Sequence, residues 1–261
     1  MNTNVFGDVS VSCENNVGIA EIRRPPDNYF DVALVQDLVA AFEAFDLDAG
    51  CRAIVLASEG KSFSAGANFA QQRPGERRPS GGSAGALYEI GARLSATRKP
   101  VIAAVQGAAI GGGFGLSLVA DFRVVSPLAR FSANFVKLGI HPGFGVTHTL
   151  PLIIGRQRAA MMLYTGRRID GEQAFEWGLA DALVDPQNLR QEAIKLAAEI
   201  AENAPLAVTS TRATLRAGLY EMVAAQTKHE LAEQTKLFST SDYREGARAV
   251  AERRPGRFVG A

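Results

Sequence analysis

Residues 99–124 read KPVIAAVQGAAIGGGFGLSLVADFRV, and the division of this stretch decides the fold. From Pro100 to Ala120 there is no charged side chain, and a run of that length is long enough to cross a bilayer. It also holds five glycines, three of them consecutive at Gly111, Gly112 and Gly113, and only two leucines. A glycine inside a helix costs about 1 kcal/mol in propensity, so a membrane-spanning helix is the poorer division. The better one is a buried strand Val101–Val105, a turn, and a short buried helix from about Gly112.

Outward from this stretch the pattern alternates strand and helix. Upstream, residues Val5–Val11 and Val17–Ile22 alternate around the turn Glu14-Asn15-Asn16, which predicts a hairpin. Asp31 stands at an N-cap position before a helix whose Leu34, Leu38, Ala41 and Phe45 recur at helical spacing. CRAIVLAS (51–58) is a continuous apolar strand that runs into the polar loop EGKSFSAGAN. Gln71–Gly85 is low in complexity and rich in Gly, Pro, Ser and Arg, so a mobile loop is expected, then a helix from about Ala84 to Thr97. Downstream, DFRVVS is a strand, and helices are expected near Arg156–Tyr164 and Gly171–Gly178. Residues 188–252 read as helix throughout, broken at Pro205 and near Ser239–Ser241. The chain therefore divides into a βα core, 1–187, and a helical region, 188–261.

Composition narrows the function. With 28 basic against 27 acidic residues, the net charge of +1 argues against a nucleic-acid partner, which would call for a basic excess. Cys13 and Cys51 cannot make a disulfide framework or a four-thiolate zinc site, and His141, His148 and His229 show no metal-pair spacing. MNTNVFGDVS has neither the basic start nor the apolar centre of a signal peptide. A cytoplasmic protein with no membrane partner is expected.

Three familiar motifs fail. Gly60-Lys61-Ser62 would end a phosphate-binding loop only with a glycine at 55, where the chain has Val55. The glycine run continues as Leu-Ser-Leu after Gly115 and lacks the last glycine of a dinucleotide fingerprint. No Gly-x-Ser-x-Gly elbow occurs. What remains is a pair of glycine-containing turns after apolar strands, Ser64-Ala65-Gly66-Ala67-Asn68 and Ile110–Gly115. Small residues let a ligand approach the backbone, and two such turns face to face would aim two N–H groups at one carbonyl oxygen. The same glycines would equally serve close helix–strand packing.

SFSAGANF (62–69), the 99–124 stretch, LGIHPGFGVTHTLPLIIGRQRAAMMLYTGRRIDGEQAFEWGLADALV (138–184) and SDYREGARAVAERRPGRF (241–258) together resemble the enoyl-CoA hydratase/isomerase (crotonase) family, in order across essentially the whole chain. The resemblance implies an α/β fold, a ββα spiral core with a C-terminal helical trimerisation region, and a homotrimer or hexamer. It implies an acyl-CoA substrate, with coenzyme A as part of the substrate and no separate cofactor or metal. It assigns the two N–H donors that stabilise a thioester enolate to Ala67 and Gly112. Ser64, Ala65, Asn68, Arg23 and Arg24 would border coenzyme A, and Arg253 would reach its nucleotide.

The resemblance also exposes departures. Hydratases of the family carry two acid/base glutamates; their places fall here on Gly115 and Phe135, and the aspartate of related isomerases falls on Gly143. None of these can carry a proton. The remaining candidates are His141, in the loop that in relatives borders the acyl group, and Glu89, on the helix that begins near Ala84 and also carries Tyr88. His148 is expected to be structural and His229 to lie at the surface. Asn68 and Asn134 can orient a carbonyl or a water without shuttling protons. Phe114, Phe135 and Phe144 would make the pocket apolar, which suits an acyl or aryl group better than a bound water. Three functions stay open: an enolate-forming lyase or isomerase, a catalytically silent acyl-CoA binder, and another reaction of this fold such as decarboxylation or thioester hydrolysis. Leu231, Phe238 and Val250 are expected to bury against neighbouring subunits.

Overall fold

The computed structural model describes residues 4–68 and 81–261. The chain opens with β1 (Asn4–Phe6), β2 (Val9–Glu14) and β3 (Val17–Ile22), followed by α1 (Val32–Leu47) and β4 (Ala53–Ser58). After α2 (Gly81–Ala92), which tightens into a 3₁₀ turn over Arg93–Ala96, come β5 (Val101–Val105), β6 (Ala108–Ile110), α3 (Gly112–Ser117), β7 (Phe122–Val125) and β8 (Arg130–Ser132). A 3₁₀ turn over Asn134–Leu138 leads to α4 (Val146–Ile154), α5 (Arg156–Thr165), β9 (Arg168–Asp170), α6 (Gly171–Glu176) and β10 (Ala182–Leu183). Four helices complete the chain: α7 (Leu189–Ala201), α8 (Pro205–Leu215), α9 (Leu219–Leu237) and α10 (Ser241–Ala251).

Seven strands form one sheet in the order β1-β2-β3-β4-β5-β7-β10. It is antiparallel at the N-terminal hairpins and parallel from β3 onward. A second sheet, β6-β8-β9, stands beside it. Every residue of β4 and β5 is buried, the signature of strands covered on both faces. Alternation sends Ile54 and Leu56 into the main core with α1, while Ala53, Val55 and Ala57 meet Leu189, Ala193 and Ala197 of α7 on the other face. The first helix of the C-terminal region thus completes the sheet of the N-terminal one.

The stretch 99–124 divides as its glycines predict, with Val101–Val105 a strand and α3 starting at Gly112. Among the described residues no helix is long and apolar enough to cross a membrane. Asp31 caps α1, its carboxylate accepting the Leu34 N–H at 2.8 Å. Three expectations need correcting. The alternating run Val5–Val11 is two strands, because Gly7 turns the chain with φ +51° and a Cβ there would lie 2.2 Å from the Asp37 carboxylate. The turn after Val105 contains the short strand β6, and the last helical stretch has one more break, at Gly218 with φ +77°. The loop expected over Gln71–Gly85 falls outside the described residues as far as residue 80, and from Gly81 the chain is already helical.

Candidate active site

The loop after β4 runs alongside β6 and is stitched to it through Ser64. Its N–H donates to Ala108 O at 2.8 Å, and its carbonyl accepts the Ile110 N–H at 3.0 Å. Ser64 and Ala109 form an isolated parallel bridge. The approach is too close for side chains. A Cβ on Gly66, which has φ +81°, would lie 2.6 Å from Ile110 O, and one on Gly113 would lie 2.4 Å from Ser64 O. Close packing is therefore one reason for the glycines, and it brings Ala67 and Gly112 to the wall of one cavity. Among the described residues, neither the Ala67 nor the Gly112 N–H has a protein acceptor.

The cavity encloses about 320 Å³. Its walls are mainly apolar, with Phe30, Leu87, Phe135, Leu138, Ile140 and Phe144 among them. Asn134 also lines it, and its side-chain amide has no hydrogen-bond partner among the described residues. At another part of the wall the Tyr88 hydroxyl donates to Gln234 Oε1 at 2.8 Å, and Gln234 Nε2 donates to the His141 carbonyl at 2.7 Å. Burial, reinforced by the charge of Glu230, pushes the Tyr88 phenol up, so it stays protonated at neutral pH.

Gln234 belongs to a buried stripe on α9 formed by Val223, Thr227, Glu230 and Gln234. Glu230 is wholly buried, and its carboxylate accepts the N–H groups of Gly145 (2.7 Å) and Thr147 (3.1 Å) and the Thr147 hydroxyl. Burial raises its pKa above the usual carboxylate value even though these hydrogen bonds oppose the shift. The held loop contains Phe144, a non-glycine residue at φ +63°. The Phe144 ring meets Phe30 edge-on at 4.9 Å and sits against two glycines: a Cβ on Gly91 would be 2.2 Å from it, and one on Gly115 2.9 Å.

The predicted site residues divide accordingly. Ala65, Ala67, Gly112 and Phe135 line the cavity. Ser64 is buried behind it, and Asn68 is half-buried beside Ala67 outside its lining. Glu89 is exposed and outside the lining; Tyr88 faces in, because consecutive helix positions point about 100° apart. His141 is half-buried outside the lining, with Nδ1 2.7 Å from the Pro142 carbonyl and its ring 6.0 Å from that of exposed His229. His148 lies half-buried on α4. Arg24 is engaged by Asp8 and Asp31, and Arg23 pairs with Glu21. Arg253 is exposed, with no side-chain partner among the described residues.

The C-terminal helices contribute to the core and the cavity of their own chain. Leu231 packs against its own core, and Phe238 lines the cavity with Tyr243, the two rings 5.0 Å apart. The spacing Val223, Thr227, Glu230, Gln234 was a usable signal: polar side chains in helical register on an inward stripe.

The enoyl-CoA hydratase/isomerase family model matches residues 12–261, nearly the whole chain. The chain belongs to the enoyl-CoA hydratase/isomerase family. It is 31% identical over 259 residues to a crotonyl-CoA hydratase of Syntrophomonas wolfei, covering 97% of this chain and 98% of that one. It is 31% identical over 252 residues to a short-chain-enoyl-CoA hydratase of Clostridium acetobutylicum, covering 95% and 96%. The crystal structure of an enoyl-CoA hydratase/isomerase from Pseudoalteromonas atlantica superposes with a TM-score of 0.86 at 28% identity, over 97% of this chain and all of that one. The mixed sheet with its flanking helices is accordingly the crotonase fold.

Proposed function

We propose that this member of the enoyl-CoA hydratase/isomerase family binds an acyl-CoA thioester with its carbonyl oxygen between the Ala67 and Gly112 N–H groups and stabilises the enolate, without hydrating a double bond. The observation that carries this reading is the pair of loops pinned together by Ser64, which leaves two N–H groups without protein acceptors at one apolar cavity. Such donors act mainly on the enolate, because negative charge gathers on the thioester oxygen only as it forms. Losing one typically costs about 3 kcal/mol of transition-state stabilisation.

Hydration is disfavoured by what stands at the places of the family's glutamates. Gly115 has no side chain and its space is taken by Phe144, and Phe135 presents a ring to the cavity. Among the described residues lining the cavity, the groups able to carry a proton are Asp31, Tyr88 and Tyr243, and Asp31 is committed to Arg24 and the α1 cap. An enolate formed by loss of carbon dioxide needs no base: the C–C bonding pair becomes the enolate, and the carbon then takes a proton from Tyr88 or solvent. A silent acyl-CoA binder is the second reading, favoured by the same filled positions.

Mass spectrometry of saturated, α,β-unsaturated, aryl and α-carboxyacyl (malonyl-type) CoA thioesters incubated in heavy water separates these outcomes. Deuterium at the α-carbon or loss of carbon dioxide supports the enolate enzyme, whereas loss of CoA alone would show a thioester hydrolase and overturn the enolate reading. Addition of water to an enoyl-CoA overturns it. An unchanged panel with ligand demonstrably bound establishes the binder.

A further inference from the structure

The interior behind the acyl cavity is not solid. On the far side of Phe144 lies a void of about 20 Å³ bordered by Gly91 and Gly115. That void shares Leu118, Thr149, Arg216 and Leu219 with an apolar groove of about 700 Å³ bordered by α4, α7 and α8. Among the described lining residues, Phe144 alone belongs to both the acyl cavity and the void. One phenyl ring therefore separates the cavity from the void, and Leu118, Thr149, Arg216 and Leu219 stand between the void and the groove.

The ring is fitted into this position. Glycine at 91 and 115 gives it room, since a Cβ at either would lie within 3 Å of it. Phe30 meets it edge-on. The backbone takes the left-handed conformation at Phe144 and at Gly145, and the Gly145 N–H is held by the buried Glu230 carboxylate. A helix from the far end of the chain thus fixes where the cavity stops.

We infer that Phe144 is the specificity-determining residue that closes the acyl cavity, restricting substrates to acyl-CoAs with a short chain or a single ring, and that Glu230 is the positioning residue that holds it there. This rests on the acyl-CoA reading above. Removing the ring joins the cavity to the void and adds the ring's own volume, so a longer saturated chain can be buried.

The test is equilibrium binding of butyryl-CoA and dodecanoyl-CoA, both saturated, to the full chain, with the dodecanoyl concentration kept below micelle formation. The wild type binds butyryl-CoA the more tightly. Phe144→Ala raises the dodecanoyl-to-butyryl affinity ratio at least tenfold, since each newly buried methylene is worth about fourfold in affinity. Phe144→Leu raises it by less, and serves if the alanine variant does not fold. Glu230→Gln moves the ratio the same way, because an amide cannot accept from both Gly145 and Thr147 as the carboxylate does; a merely structural role would leave the ratio fixed. Folded variants that bind butyryl-CoA with the wild-type ratio overturn the assignment of Phe144. A wild type that binds neither thioester overturns the acyl-CoA reading itself.

Discussion

The phenolic oxygen of Tyr88 occupies the space in which a side chain at residue 143 would begin: a Cβ on Gly143 would fall 1.9 Å from Tyr88 Oη and 2.8 Å from Gln234 Nε2. Resemblance puts the isomerase aspartate at this position, and here a neutral phenol–amide pair from α2 and α9 fills the volume instead. The acid is not merely missing; its place is taken.

Gly143→Ala is accordingly expected to destabilise the fold by about 1–3 kcal/mol, the usual range for overpacking. Adding Tyr88→Phe removes the clashing oxygen and should recover part of the loss. Urea unfolding of the two single variants and the double variant measures this, and simple additivity would contradict it.

Gly115 and Phe144 are coupled in the same way. Gly115→Ala should cost about 1–3 kcal/mol alone and less in a Phe144→Leu background, with a coupling energy of about 0.5–3 kcal/mol. Gly115→Glu alone should give no hydration of crotonyl-CoA, because its carboxylate would have to enter the volume of the Phe144 ring. Appearance of hydratase activity in that single variant would refute the packing argument.

Burial raises the folded-state pKa of Glu230 above its unfolded value near 4.5. The folded protein then holds this proton to higher pH than the unfolded chain does. Its favourable contribution is complete below the unfolded pKa and is lost as pH rises through the folded one. The stability difference between wild type and Glu230→Gln should therefore move against the wild type as pH rises above the unfolded value near 4.5. A difference that stays flat, or moves the other way, would show that the carboxylate is not desolvated as the geometry implies.

Gly112 fronts the cavity with Phe30 close above it, since a Cβ there would approach the Phe30 ring to 2.6 Å. Gly112→Ala should block access to the N–H and lower any α-proton exchange or decarboxylation by about 10²-fold or more, the scale of losing an oxyanion donor. Butyryl-CoA binding should weaken far less. Equal losses in binding and turnover would mean that the methyl group only narrows the cavity.

The features legible in the sequence are those decided within a few residues. Asp31 as an N-cap, Val101–Val105 as a strand and Gly112 as a helix start each follow from local chemistry. The other arrangements depend on partners from elsewhere in the chain. Arg24 is engaged by Asp8, sixteen positions away, as well as by Asp31, rather than left open for a phosphate. Tyr88 and Glu89 are neighbours in sequence, and only the packing of α9 on α2 decides which of them turns inward. The helices expected to face other subunits carry Gln234, Phe238 and Tyr243 to the wall of the cavity of their own chain. His141 contributes its carbonyl to Gln234, a role that its ring chemistry gave no reason to expect.

The backbone bridge at Ser64 gives neighbouring amides very different exposure to solvent exchange. Ser64 and Ile110 spend their hydrogens on each other's loops, whereas Ala67 and Gly112, two or three residues along, have no acceptor among the described residues. In deuterated buffer the first pair should exchange only when the sheet itself opens, and the second pair within the dead time. A bound thioester would then slow the second pair while leaving the first unaltered, so the arrival of an acyl group could be read at two named amides without any turnover at all.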